Sequence, residues 1–91
     1  MSVNVKIPTQ LRATTGGEAV VAVEGASVGE VLAAVYERFG ELKERIADED
    51  GPRRFVNVYV GGEEIRFLDG LATPVADGGE VTILPAVAGG R

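Results

Sequence analysis

Apolar and polar residues alternate with two different periods along this 91-residue chain, and the changes of period mark its elements. "VNVKI" puts Val3, Val5 and Ile7 on one side and Asn4 and Lys6 on the other, the period of two of a half-buried strand. Pro8 has no N–H for a ladder, so it ends that strand or opens an irregular stretch through "TQLRA". "TTGG", Thr14 to Gly17, predicts a turn, because glycine takes positive φ without steric cost. "EAVVAVEG" then alternates again, and the two strands make a hairpin. At Ser27 the period lengthens. Val28, Val31, Leu32, Val35 and Phe39 recur at helical spacing, and Ser27 with Glu30 forms a capping box at the helix start. Gly40 predicts the stop, since it tolerates the left-handed conformation. "ELKERIADED" carries a further short helical turn with Leu42 and Ile46 facing in, and "DEDGP" predicts a loop whose acidic cluster is solvated.

The second half returns to the shorter period. "RRFVNVYV" is the strongest strand pattern, with Val56, Val58 and Val60 on one face and Phe55, Asn57 and Tyr59 on the other. Gly61-Gly62 predicts a turn, "EEIRFL" a short strand, and "DGLATPVADGG" mostly turns with Leu71 and Val75 as core anchors. "EVTILPAV" predicts a last strand through Val81 and Ile83. One main helix over one mixed sheet is a two-layer α+β arrangement. A hairpin, a crossover helix and a returning strand predict that the first and last strands pair in parallel at the sheet centre, which is the β-grasp. The chain then divides into a β-grasp domain, 1–85, and a flexible C-terminal tail, 86–91.

Composition narrows the chemistry. The net charge of −5, with nine scattered Lys and Arg, argues against nucleic acid, whose phosphates need clustered bases. An acidic domain favours a partner with a basic docking face. With no His and no Cys, the usual zinc sites and His-assisted nucleophiles are absent, so no resident metal, bound cofactor or catalytic residue is expected. Fourteen Asp and Glu leave a carboxylate pair formally open, but no spacing fixes two of them in a pocket. No stretch is long enough to span a bilayer, and "MSVNVKIPTQ" lacks the basic start and apolar run of a signal peptide. The lack of cysteine fits a reducing cytoplasm.

Gly-Gly occurs four times. Three pairs separate apolar runs, where turns are needed. The fourth, Gly89-Gly90, has no strand after it and follows Pro85, Ala86, Val87 and Ala88. Extended, the five residues 86–90 reach roughly 17 Å, at about 3.4 Å each. So slim a segment can thread a narrow channel in another protein and present an unhindered backbone carbonyl.

The chain resembles the ubiquitin-like sulfur carriers of the MoaD/ThiS type, most closely their CysO branch. The resemblance covers essentially the whole chain and rests on "RFVNVYV", "IRFLDGLATPVADGGEVTILP" and "AVAGG". It implies that an E1-like partner uses ATP to adenylate the carboxylate of Gly90, and that sulfur then displaces AMP to give a C-terminal thiocarboxylate. It further implies a sulfur-accepting synthase and a processing zinc metalloprotease as partners. The protein is then a substrate of enzymes and not an enzyme. Arg91 departs from the family pattern, which ends at Gly-Gly, so the expectation is a precursor from which Arg91 is removed. Phe55 and Tyr59, with the tail root at Pro85, make a candidate docking patch. Two other readings use the same residues: a ubiquitin-like modifier joined to lysines through Gly90, and a non-covalent interaction module that does not need Gly89 to Arg91.

Overall fold

The computed structural model describes residues 2–48, 51–52 and 56–85. Strand β1 (Ser2–Lys6) and strand β2 (Val20–Glu24) form the expected antiparallel hairpin, with Val5 opposite Val21 and Val3 opposite Val23. Their connection is not the simple turn that "TTGG" suggests. After Pro8 the chain winds into a 3-10 helix, Thr9–Thr15, which Gly16 closes at φ 67°. The corner is stable because its buried hydroxyls find acceptors. Thr14 Oγ1 donates to the Leu11 carbonyl at 2.6 Å, and Thr15 Oγ1 lies 3.2 Å from the Arg12 carbonyl and 3.0 Å from that of Glu18.

Helix α1 (Val28–Arg38) begins at Ser27, whose extended backbone leaves Oγ free to accept from the Glu30 N–H at 3.3 Å. The Glu30 carboxylate reaches back to the Ala26 N–H at 2.9 Å, one residue before the cap. Val28, Val31, Leu32 and Val35 are buried. The helix is broken one residue earlier than expected. Phe39, at φ −131° and ψ 80°, leaves the helical region, and Gly40 opens helix α2 (Gly40–Ile46) rather than ending α1. The bend carries Leu42 and Ile46 under the 3-10 corner, where both are fully buried. The expected "DEDGP" loop contains a minimal ladder: strand β3 (Ala47–Asp48) pairs antiparallel with strand β4 (Gly51–Pro52).

Strand β5 (Val56–Val60) buries Val56 and Val58 and turns through Gly61 and Gly62, at φ 59° and 89°. Two successive positive φ angles are what a tight hairpin demands. Strand β6 is only Glu63–Glu64. The rest of "EEIRFL" is not a strand. Ile65–Phe67 forms a 3-10 turn that swings Ile65 into the core and leaves Phe67 at 83 % exposure. Leu71 is not a core anchor either: its backbone and Cβ sit over Gly29 in the first turn of α1, and it stays 39 % exposed. Val75 is buried, and the Val75 N–H donates to the Ala26 carbonyl.

Strand β7 (Glu80–Pro85) pairs in parallel with β1 and antiparallel with β5, as the element order predicts. The sheet order is β2-β1-β7-β5-β6. Its start is fastened to β1: Gly78 N–H donates to the Ser2 carbonyl, Asn4 N–H to the Gly79 carbonyl, and Ser2 N–H to Asp77 Oδ1 at 2.7 Å. Gly79 has no room for a side chain, because a Cβ there would lie 2.8 Å from the Ala76 carbonyl oxygen. Val81 and Ile83 join Val3, Val5, Val56 and Val58 beneath the helices. Five-stranded mixed sheet, central parallel pair and helices across one face make a β-grasp fold. Arg38 donates to the Ala22 carbonyl at one sheet edge, and Arg66 to the Val56 carbonyl at the other. Among the described residues no helix is long and apolar enough to cross a membrane.

Leu32 has no exposed surface to give up, so Leu32→Ala should lower stability by about 2–5 kcal/mol. Ser27→Ala should cost about 1 kcal/mol through loss of the cap. Urea unfolding with an unchanged denaturant slope checks both.

Candidate functional site

The helices cover one face of the sheet, and the strand alternation that buries the valines turns a second set of residues to the other face. Val20, Lys6, Thr82, Tyr59 and Glu64 lie opposite one another across all five strands. Leu84, opposite Asn57, lies two residues beyond Thr82 on the same side of β7. Val20 is 46 % and Leu84 43 % exposed. This open face therefore mixes apolar side chains with single polar groups, and among the described residues no helix lies over it.

Of the expected docking patch, Tyr59 is found on this face. It is half-buried beside Thr82 and lines a shallow concavity with Asn57, Glu64 and Phe67. Phe55 lies outside the described residues, as do Ala86, Val87, Ala88, Gly89, Gly90 and Arg91. Pro85 ends β7 opposite Val56, so the path toward those residues leaves from the middle of the sheet. The structure adds residues that the sequence reading did not single out. Leu84 and Val20 were visible as the outward positions of alternating strands. Phe67 was hidden because "EEIRFL" reads as strand. Arg12 was hidden because "TQLRA" carries no period.

The electrostatics of the face are local. Lys6 Nζ lies 3.6 Å from Glu80 Oε2. Glu64 Oε2 is buried without a hydrogen-bond donor among the described residues, and the Arg66 Nε at 3.6 Å supplies the compensating charge. Arg66 also donates to Asn57 Oδ1 at 3.1 Å. Away from the face, burial of Tyr36 against the core pushes its hydroxyl up to about 12, so it stays protonated at neutral pH. Its oxygen has no hydrogen-bond partner among the described residues. Among the described residues no group of three or more His, Cys, Asp or Glu could hold a metal ion.

A five-stranded mixed sheet with a central parallel pair and helices across one face defines a ubiquitin-like protein by architecture. The chain belongs to the ThiS family, whose model matches residues 5–90. It is 48 % identical over 93 aligned positions to the sulfur carrier protein CysO of Mycobacterium tuberculosis, covering 99 % of this chain and 100 % of that protein. CysO in the crystal structure of the Amycolatopsis orientalis BexX/CysO complex superposes with a TM-score of 0.88 at 50 % identity, over 97 % of this chain and 99 % of that one. The small archaeal modifier protein 1 of Methanosarcina acetivorans superposes with a TM-score of 0.85 at 32 % identity, over 98 % of this chain and 96 % of that one.

Tyr36 gives a test of the packing behind the site. Its folded-state pKa of about 12 lies above the ordinary 10.0, so on raising the pH the unfolded chain loses the proton first. Its contribution to stability is therefore whole below about pH 10 and should fall as the pH climbs toward 12. Tyr36→Phe should remove that part of the alkaline slope. At pH 7 it should be neutral or slightly stabilising, because it deletes a hydroxyl that has no partner. Urea unfolding at a series of alkaline pH values measures both effects.

Proposed function

We propose that the protein is a sulfur carrier whose reactive group is the backbone carboxylate of Gly90. The observation that carries this reading is the full-length relation to CysO, together with a family match that runs through Gly90 and leaves Arg91 outside it. A protease hydrolyses the Gly90–Arg91 amide with water, releasing arginine and a carboxylate. An E1-like enzyme joins that carboxylate to ATP, expelling pyrophosphate and leaving an acyl adenylate. A carboxylate is a poor electrophile, and its mixed anhydride with AMP is a good one. A sulfur nucleophile then adds at the Gly90 carbonyl carbon, AMP leaves, and the product is a thiocarboxylate held on the protein.

The domain supplies no catalytic group to these steps. It contributes a rigid body, the open face by which enzymes hold it, and a glycine end that fits into their active sites. ATP belongs to the activating enzyme. The thiocarboxylate then passes sulfur to a synthase in the making of cysteine or another sulfur metabolite. A second reading is favoured by the likeness to the small archaeal modifier protein 1: conjugation of Gly90 to lysines of other proteins.

Protein ending at Gly90, mixed with the activating enzyme, ATP and a sulfur donor, should gain about 16 Da as one oxygen is replaced by sulfur. Protein that keeps Arg91 should gain nothing. Intact-mass spectrometry reads both, and a mass gain on protein that keeps Arg91 would overturn the precursor step. A ladder of isopeptide conjugates in cell extract, with no thiocarboxylate species, would favour the modifier over the carrier.

A further inference from the structure

We propose that the groove beside the end of β7 is a socket for an acidic, apolar-flanked segment of the activating enzyme, and that Arg12 reads the carboxylate. This rests on the carrier reading above.

The groove follows from a mismatch in strand length. β1 stops pairing at Lys6, opposite Thr82, while β7 continues to Pro85. Pro8 cannot continue the ladder, and the chain turns off into the 3-10 corner. The space left beside β7 is about 330 Å³, and Pro8, Val20, Leu84, Lys6 and Arg12 are among the residues that line it. Val20 and Leu84 are among the most exposed large apolar side chains described, which suits a short aliphatic side chain from outside.

Arg12 decides the charge of the occupant. Its Nε donates to the Ile7 carbonyl at 3.1 Å, which fixes the guanidinium plane. It is half-buried, so its freedom is already reduced before any partner arrives. Lys6 and Arg66 each have a carboxylate at 3.6 Å, whereas among the described residues no carboxylate lies within ion-pair distance of Arg12. A held guanidinium beside an apolar groove, its terminal nitrogens without a hydrogen-bond partner among the described residues, matches the geometry of a carboxylate bound through two parallel hydrogen bonds. The chain's net charge of −5 points the other way and favours a basic partner surface at long range. The two effects act at different distances: the overall charge steers the encounter, and the socket selects at contact. The groove borders the last residues of β7, so a segment seated there also fixes the strand from which residues 86–90 depart.

The test is steady-state pyrophosphate exchange and calorimetric binding with the E1-like enzyme, using carrier that ends at Gly90. Arg12→Gln should raise the carrier KM about tenfold, and Arg12→Glu more than that, with kcat within about twofold. Arg12→Lys keeps the charge but not the paired hydrogen bonds, so it should recover only part of the affinity that Arg12→Gln loses. Gln can still donate to the Ile7 carbonyl, so Arg12→Gln serves if the Glu variant does not fold. A folded Arg12→Glu variant, or Arg12→Gln in its place, with unchanged KM and affinity overturns the socket alone. Wild-type protein that binds but gives no exchange overturns the carrier reading alone, and wild-type protein that does not bind overturns both.

Discussion

The parallel pairing of β1 with β7 is the constraint on which the rest of the structure depends. Parallel neighbours cannot be joined by a tight turn, so the chain between them must cross over the sheet on its way from the β1–β2 hairpin to β5. That crossover is α1 and α2, and their apolar stripes are what bury Val3, Val5, Val81 and Ile83. The register is set by a few backbone contacts around Ser2, Asp77, Gly78 and Gly79. A slip of one residue would turn Val81 and Ile83 to solvent and Leu84 into the core, inverting the open face as well. Core and open face are therefore two readings of the same register.

Elements whose period and boundary chemistry agree could be read from the residues alone. β5 alternates Val56, Val58 and Val60, and Ser27 with Glu30 marks the start of α1. The sheet centre followed from element order. The errors share a cause: local chemistry allowed an alternative and tertiary packing chose it. Gly40 is able to end a helix, but burial of Leu42 and Ile46 requires the turn at Phe39 and a second helix after it. "EEIRFL" alternates well enough for a strand, yet Ile65 reaches the core only if the chain leaves the sheet after Glu64. Leu71 is apolar but lands over Gly29, at the rim.

The site divides in the same manner. Tyr59 is legible as the outward position of a strong strand, and Leu84 by the same rule. Arg12 is not, because its place depends on a 3-10 corner with no sequence period and on a carbonyl five residues earlier. The role proposed for Gly90 rests on sequence and family resemblance alone, since Gly89 and Gly90 lie outside the described residues.

A sheet with open flanks invites further strands, including those of its own copies. Here a guanidinium crosses a main-chain acceptor on each flank, Arg38 at Ala22 and Arg66 at Val56. Sideways growth into chains of molecules is opposed at both sides. On the carrier reading proposed above, that restraint would keep the protein a single body and leave the uncovered side of the sheet as its broadest offered surface.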